Sequence, residues 1–259
     1  MQLLANRAII TLSGNDKEHF LQGIITKDIN KIKSEKIIYT LILNPQGKFL
    51  FDLFIFEKDH MLYIDCLKDK KEDLIKKLTV YKLRSDVVIK EEQNIKIYFS
   101  NSNLNEENCF IDPRNKNFGF RVYSENESSD SKGFYEEFRV DNAIPEAEFE
   151  LKYEKSFPLE CGLDKLAAID FNKGCYVGQE VTARTKTRGV IRKALYNIYT
   201  NHPIEIGNEI INNNSSIGLV TSFYNNKGIG LIRDDELTSE EVFINNKPVK
   251  VKKASWYTD

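Results

Sequence analysis

The sequence predicts a strand-rich α+β fold that ends in a small antiparallel β-barrel. Short runs of β-branched and aromatic residues follow one another without the regular strand–helix alternation of a parallel α/β protein. From about Val190 the runs are separated by NNNSS, NNKG and NNKP, which are typical turn sequences. The last run contains VKVKK, whose alternation has the period of a half-buried strand. We therefore expect one region over residues 1–189 and an antiparallel β-barrel over residues 190–259.

The first part of the chain is predicted to contain strands and two helices. Residues 3–12 alternate weakly like a strand, and Asn15 or Asp16 would cap a short helix over residues 16–25. Two apolar runs flank NPQGK, which is a hairpin signal with a five-residue loop. The strands are predicted over 37–43, 49–56, 61–66, 87–92 and 95–100, and the second helix over 70–83, with Leu74, Leu78 and Tyr81 on one face.

The middle of the chain is less regular. The polar residues 124–133 predict a solvated loop, and a helix over 133–144 would end before Pro145. Residues 145–176 are rich in turn formers with scattered apolar anchors. A further helix is predicted over 178–186, in the sequence GQEVTARTK.

Composition bounds the class of protein rather than its activity. With 259 residues, 41% of them hydrophobic and 29% charged, the chain has the make-up of a soluble globular protein with a sizeable core. A net charge of −2 names no partner, and no apolar run approaches the ~20 residues of a membrane helix, so no membrane partner is expected. The start, MQLLANRAIITLSG, lacks the pattern of a signal or transit peptide and indicates a cytoplasmic protein.

The stretch KGCYVGQE carries the main candidate residue, Cys175. The four cysteines form no CxxC pair and the three histidines are scattered, so we expect reduced thiols and no metal site. Gly174 and Gly178 permit unusual backbone angles and close approach of a ligand. A helix beginning at Gly178 and the cation of Lys173 would both favour a thiolate. The alternative is a buried cysteine that acts as a small hydrophobe.

Two further signals lie outside this stretch. In the run TARTKTRGVIRK, Arg184 and Arg188 are four residues apart and could each grip a carboxylate or phosphate; the alternative is a solvated helix face. Asp52 lies in FLFDLFIF and is expected on the same face as Leu50 and Phe54, where it would either line a cavity or sit at a rim as a hydrogen-bonding carboxylate.

Together these residues describe a pocket for a flat heterocycle with an acidic tail. Asp52 and Glu160, which lies in FPLECGLDKL, would accept hydrogen bonds from ring N–H groups. Tyr176 could stack on the ring, and arginines could hold the tail.

The stretch KGCYVGQEVTAR, with Arg188-Gly189 just after it, resembles the signature of the YgfZ-type folate-binding proteins. That family includes a mitochondrial iron–sulfur assembly factor and belongs to the glycine-cleavage T-protein superfamily. Nearly the whole chain shares the resemblance, because further segments echo T-protein segments in the same order: FLQGIITKDI, LNPQGKFLFDLFIF, YKLRSDVVI, DPRNKNFGFRV and IGLVTSFYNNKGIGL.

The resemblance implies a T-protein-like, multi-lobed fold around a central tetrahydrofolate pocket, with the C-terminal antiparallel β-barrel as the last of three lobes. Glu160 falls on a glutamate that holds the pterin in T-proteins, since Leu159-Glu160-Cys161-Gly162 matches that segment. Phe51-Asp52 stands where T-proteins have two adjacent acidic residues, and the missing carboxylate argues against aminomethyl transfer.

The resemblance therefore implies a tetrahydrofolate-binding protein that supports assembly or repair of iron–sulfur proteins. Cys175 would be the functional thiol, acting as a transient ligand or redox contact for assembly or client proteins. The residues expected to bind the folate are Glu160, Asp52, Lys173, Tyr176, Gln179, Glu180 and Arg184.

Two other functions stay open on the sequence. The retained Asp52 and Glu160 are compatible with a folate-dependent one-carbon transferase. The basic run and the C-terminal VKVKK are compatible with an RNA or protein docking module, with at most a weak RNA contact.

Overall fold

The computed structural model describes residues 1–126 and 133–257. In that part of the chain the strands form a five-stranded sheet, a four-stranded sheet and a closed six-stranded barrel, all antiparallel. The predicted α+β class and the terminal barrel are confirmed, and the three β units correspond to the three expected lobes. The predicted solvated loop at 124–133 lies mostly outside the described residues.

The first lobe is a sheet with strand order β3-β4-β5-β2-β6. Both predicted helices and the later strands of this region are confirmed, with small shifts at their ends. The strand predicted over 3–12 divides into two strands of different sheets, at Gln2–Leu3 and Arg7–Ser13, and the short helix Ile32–Glu35 was not predicted. Asp16 precedes the first helix as expected, but its carboxylate accepts a hydrogen bond from the Asp86 N–H at 2.8 Å and does not cap that helix. The elements up to residue 92 are β1 Gln2–Leu3, β2 Arg7–Ser13, α1 Lys17–Gln22, α2 Ile32–Glu35, β3 Ile37–Leu43, β4 Phe49–Lys58, β5 Met61–Leu67, α3 Lys71–Lys82 and β6 Val88–Glu92, with 3-10 helices at Ile29–Lys31 and Lys68–Lys70.

Strand β3 is apolar throughout because both of its faces are buried. Ile38 and Ile42 pack into the core that the sheet shares with α1 and α3. Tyr39 and Leu41 point the other way, into the central core shared by all three lobes. A strand covered on both faces reads as a continuous hydrophobic run and loses the alternation of a half-exposed strand.

The second lobe is a sheet with strand order β1-β7-β9-β8. The sequence did not predict β8 or β9. β8 has only three residues, and β9 carries Arg121 at a fully buried position, where a charged residue argues against a strand. The elements are β7 Lys96–Ser100, β8 Cys109–Ile111, β9 Phe120–Ser124 and α4 Phe134–Asp141.

The barrel closes in the order β10-β13-β12-β11-β14-β15, with β15 paired back to β10. Three of its hairpins turn on an Asn-Asn pair, and all six asparagines have φ between 45° and 64°. Two central residues with positive φ are the requirement of a type I′ turn, which asparagine tolerates. The preceding 3-10 helix is Pro158–Cys161, followed by α5 Gln179–Arg188 and the strands β10 Lys193–Tyr199, β11 Glu209–Asn212, β12 Ser215–Tyr224, β13 Lys227–Arg233, β14 Glu241–Ile244 and β15 Lys247–Lys253.

Buried charges join the lobes. Asp65 of β5 accepts hydrogen bonds from Arg7 Nε at 2.7 Å and from Arg121 Nη2 at 2.5 Å, which links the first two sheets. Such ions are tolerated inside a protein only when they are paired and hydrogen-bonded. The same cluster contains Asp52, Asp112, Arg114 and Glu146.

A second buried contact holds the barrel against the rest of the protein. Arg139 of α4 donates to Glu150 at 3.1 Å and to the Ser222 hydroxyl of β12 at 2.7 Å. Ser222 in turn donates to Glu150 at 2.6 Å. All three side chains are buried, and the hydrogen bonds among them satisfy polar atoms that would otherwise lack a partner away from water.

Candidate functional site

Cys175 lies at the exposed apex of the loop that precedes α5. No atom outside the immediate chain lies within 4 Å of a Cβ built on Gly174, so the apex opens to solvent. Cys66 and Cys161 are buried and Cys109 is half-buried. The alternative of a buried, inert Cys175 is therefore wrong, and its thiol is the most accessible of the four.

Lys173 anchors this loop to the first lobe. Its side chain is buried, and Nζ donates to the backbone carbonyls of Gln22 and Ile25 at 2.7 Å and of Lys27 at 3.1 Å. Burial lowers the pKa of Lys173 to about 8, with Asp28 opposing that shift. Because three carbonyls occupy the ammonium group, Lys173 positions the loop and does not reach toward a ligand.

Both flanks of the Cys175 loop are held. On the N-terminal side the Thr26 hydroxyl donates to the Ala168 carbonyl at 2.7 Å, and the Asp170 N–H donates to the Thr26 carbonyl at 3.0 Å. On the other side Gly178 has φ 84°, and a Cβ there would lie 2.6 Å from the Asn44 carbonyl oxygen. The predicted close approach at this glycine is thus made by the β3–β4 turn.

The structure places Tyr176 inside the protein. Its ring belongs to the central core, and Lys173 Nζ lies 5.1 Å from the ring centroid. Burial raises the pKa of the Tyr176 hydroxyl to about 12. A ring that is already covered cannot stack on a ligand, so Tyr176 holds the loop and is not the expected stacking platform.

Gln179, Glu180 and Arg184 lie on α5. Gln179 Nε2 is 3.5 Å from the Lys173 carbonyl oxygen, a long hydrogen bond across the loop. Glu180 and Arg184 form an exposed ion pair at 2.7 Å, one helical turn apart. Both side chains are mostly exposed, so these two charges form a solvated face beside Cys175. Ion pairs of this kind contribute about 0.3–0.5 kcal/mol to helix stability.

Glu160 lies on the wall of an open groove of about 460 Å³. Its carboxylate is about one-third exposed and pairs with Lys193 Nζ at 3.2 Å. The groove runs between the segment 149–160 and the outer face of the barrel. Besides Glu160 and Lys193 it is lined by the charged residues Glu150, Lys152, Lys155, Glu209 and Arg233 and by the apolar residues Phe149, Ile217, Leu219 and Leu231.

Asp52 does not lie in this groove. Its carboxylate is buried, accepts two hydrogen bonds from Arg7 Nη1 at 3.0 and 3.1 Å, and borders a separate cavity of about 40 Å³. Burial raises the pKa of Asp52, and Arg7 opposes that shift. The expected common face of Leu50, Asp52 and Phe54 is interrupted, because a register shift near Phe49 turns Leu50 into the opposite core.

The groove contains residues that the sequence did not single out. Lys152, Lys155 and Lys193 are scattered lysines without a motif, and only the folded chain brings them beside Glu160. Among residues 1–126 and 133–257 no group of three or more His, Cys, Asp or Glu side chains is arranged to hold a metal ion. No helix in the same ranges has both the length and the apolarity to cross a membrane.

The C-terminal part of the chain matches a known domain family. Residues 178–259 match the family described as the CAF17 C-terminal β-barrel domain. The match begins next to α5 and includes all six barrel strands.

Curated proteins similar to this chain are named iron-sulfur cluster assembly factor IBA57 homolog, mitochondrial. The protein from Neurospora crassa is 34% identical over 226 residues, covering 74% of this chain and 52% of the relative. Those from Coccidioides immitis and Mycosarcoma maydis are 32% and 31% identical, and each covers 73% of this chain and 54% of the relative. The chain thus spans about half the length of these relatives.

Among solved structures, glycine cleavage system aminomethyltransferase T from Bartonella henselae is similar to this chain with a TM-score of 0.77. The superposition covers 98% of this chain and 84% of that protein, at 13% sequence identity. At this identity the likeness shows the fold, and the expected T-protein-like fold is confirmed.

The expectation of a cytoplasmic protein is contradicted, because the curated relatives are named as mitochondrial. That expectation rested on the composition of the first residues. Cellular location is set by receptor-read signals, and the composition of a folded domain does not encode them.

Proposed function

We propose that this chain, which belongs to the CAF17/IBA57-type family with a glycine-cleavage T-protein-like fold, supports the assembly or repair of iron–sulfur proteins. Cys175 would make the contact with the cluster or its carrier, and the groove at Glu160 would bind tetrahydrofolate. The names of the relatives support the role with iron–sulfur proteins, and the T-protein-like fold supports the binding of tetrahydrofolate.

The observation that carries the proposal is the presentation of Cys175. The thiol is exposed, while the chain on either side of it is held in place. On one side Lys173 donates to three backbone carbonyls of the first lobe, and on the other Gly178 packs against the β3–β4 turn. Thiolates are preferred ligands of iron–sulfur clusters, and an accessible thiol on a fixed loop can meet a cluster carried by another protein. The cluster is then cargo, consistent with a thiol that has no second ligand beside it in its own stretch.

The groove has the donors and acceptors that a folate requires. Glu160 can accept hydrogen bonds from pterin N–H groups, and Leu219 and Leu231 offer apolar wall for the rings. Lys152, Lys155 and Arg233 supply cations for the carboxylates of the tail. When bound, tetrahydrofolate would supply a reduced pterin that can carry a one-carbon unit.

The one-carbon transferase gains less support. Of the two carboxylates compatible with that function, Asp52 forms an ion pair with Arg7 and borders a cavity different from that of Glu160. The weak RNA contact also stays a prediction, and the basic run offers it fewer cations than expected. In that run Arg184 pairs with Glu180, and Lys186 pairs with Asp164 at 2.6 Å.

The folate part is tested by calorimetric titration of the reduced protein with tetrahydrofolate. We expect binding by the wild type and by Cys175→Ala, and loss of binding in Glu160→Ala. Glu180→Ala is a matched control, because it removes a carboxylate that lies outside the groove. Equal binding by Glu160→Ala and wild type would remove the groove from the proposal, and no binding by any variant would refute the folate.

The iron–sulfur part is tested in cells that lack the protein. We expect wild type to restore the activities of iron–sulfur enzymes under oxidative stress, and Cys175→Ala to fail. Cys109→Ala is the control, since it removes a half-buried thiol from the second lobe. Full restoration by Cys175→Ala would refute a role for this thiol.

A further inference from the structure

The turn after α3 holds a leucine in a strained conformation. The Ser85 N–H donates to the Lys82 carbonyl at 2.8 Å and closes the turn. Leu83 has φ 48° and ψ −109°, the region that glycine occupies at the first central position of a type II′ turn. A side chain in this region costs free energy, and such strain persists only where something compensates for it.

Packing does not compensate for the strain at Leu83. Its side chain is 87% exposed, and that of Val80, one turn earlier, is 70% exposed. Leu83 is the most exposed of the large hydrophobic residues in the described part of the chain. The backbone therefore holds an apolar side chain outward at the tip of a turn, which the fold alone does not require.

Several cations without a carboxylate partner among the described residues lie on the second half of α3 and in this turn, and one of them, Lys77, has its Nζ 5.1 Å from the centroid of the Tyr81 ring. At the other end of α3, Lys70 and Lys71 form ion pairs with neighbouring carboxylates. The cations toward the turn form none among the described residues, and they are Lys76, Lys77, Lys82 and Arg84.

Two carboxylates also face the turn. Asp86 accepts hydrogen bonds from the N–H and the side-chain amide of Asn15, and Asp16 accepts from the Asp86 N–H. These partners are uncharged and leave both negative charges in place. Four cations against two carboxylates still make the surface net positive.

We propose that this surface, formed by Lys76, Lys77, Val80, Lys82, Leu83 and Arg84 and here named the Leu83 corner, binds the surface of an anionic lipid bilayer. Leu83 and Val80 insert among the headgroups, and the cations lie over the lipid phosphates. An apolar tip ringed by basic residues is the composition that places a protein on a membrane without crossing it. The inference stands independently of the proposed function.

The geometry favours a bilayer over a macromolecular partner. A stable protein interface takes about 800 Å² from each side around an apolar core, and two protruding side chains are too few to form one. Single-stranded nucleic acid is bound by exposed aromatic platforms, whereas the large apolar residues exposed at this tip, Val80 and Leu83, are aliphatic, and Tyr81 beside them is half-buried. The expectation of no membrane partner concerned a spanning segment, which a surface contact does not need.

The test is co-sedimentation with vesicles of phosphatidylcholine alone and of phosphatidylcholine mixed with phosphatidylglycerol. We expect binding to the anionic vesicles only, weakened by salt because the charges are exposed. Leu83→Gly should reduce the affinity at least about tenfold through the lost apolar insertion. Replacing Lys82 and Arg84 by glutamine should reduce it about fivefold for each charge removed.

The control is Ile206→Ser, because Ile206 is 59% exposed but follows Glu205 on another lobe, and it should bind like wild type. Thermal unfolding separates docking from folding: glycine relieves the strain, so Leu83→Gly should melt no lower than wild type. A lower Tm would show that Leu83 serves the fold and would overturn the inference. Wild type that ignores anionic lipid, or Leu83→Gly that binds undiminished, would overturn it as well.

Discussion

Two carboxyl groups of the buried cluster, those of Glu146 and Asp52, should change the free energy of unfolding with pH in opposite directions. Glu146 accepts hydrogen bonds from Arg114 Nη1 at 2.7 Å and from the Tyr135 hydroxyl. Burial works against its charged form, but Arg114 and Arg7 outweigh burial and lower the pKa of Glu146 to about 2. For Asp52 burial is the larger effect, and its pKa is raised in spite of Arg7.

The size of the Glu146 effect follows from its pKa. A fall from 4.5 to about 2 corresponds to about 3 kcal/mol of unfolding free energy, at 1.36 kcal/mol per unit. This stability is present above pH 4.5 and is lost as the pH falls toward 2, because the unfolded chain takes up the proton first. The pKa shift of Asp52 has the opposite sign, so the folded state binds the proton of this carboxyl more tightly than the unfolded chain does. The contribution of Asp52 to the free energy of unfolding therefore becomes more favourable as the pH falls through its raised pKa.

Urea unfolding of wild type, Glu146→Gln and Asp52→Asn tests this difference. At pH 7 we expect Glu146→Gln to lose about 3 kcal/mol, and this loss to shrink as the pH is lowered below 4.5. Asp52→Asn resembles the protonated acid and should be at least as stable as wild type at pH 7. It is a matched control, since it makes the same acid-to-amide change in the same cluster.

Two results would refute the reasoning. A deficit in Glu146→Gln that is the same at every pH would mean that the shape of the amide, and not the lost charge, is responsible. If Asp52→Asn lowered the free energy of unfolding as much as Glu146→Gln does, the pKa shifts of the two carboxyl groups would not have opposite signs.

The Cys175 loop provides two further predictions. A thiol reagent should label one cysteine rapidly in the native protein and all four in denaturant. The reason is that Cys175 is exposed, while Cys66 is buried and has its pKa raised to about 12. Rapid labelling of the Cys175→Ala variant would contradict this expectation. Gly178→Ala should cost about 1–3 kcal/mol in urea unfolding because of its positive φ and the close Asn44 carbonyl, whereas Gly174→Ala, with open space around it, should stay within about 0.5 kcal/mol; equal costs would refute the packing account.

Local patterns predicted most elements of the fold. The run IIYTLIL predicted β3 to the residue, and the Asn-Asn pairs predicted the hairpins of the barrel because turn chemistry acts over four residues. The strands β8, β9 and β11 and the short helix α2 were missed. They are short or carry a buried charge, and two of them also pair with strands farther away in the chain, β9 with β7 and β11 with β14.

The candidate site was predicted in part. The KGCYVGQE stretch drew attention to a cysteine that the structure exposes, and the functional role of that cysteine stays a prediction. The roles of its neighbours could not be deduced from their residue types. Lys173 and Tyr176 have the chemistry of ligand-binding residues, yet the fold uses one to anchor the loop and the other to fill the core. Whether a polar side chain meets a ligand or its own backbone depends on what the rest of the chain places opposite it.

The sequence by itself therefore determined the class of fold, the terminal barrel and the stretch around Cys175, because propensity, periodicity and turn chemistry are local. Only the tertiary structure decided that Asp52 and Glu160 border different cavities, that Arg7 neutralises Asp52, and that scattered lysines meet at one groove. These outcomes depend on contacts between residues far apart in the chain. The free energy of a buried charge is set by such contacts, so it becomes defined only when the lobes pack together.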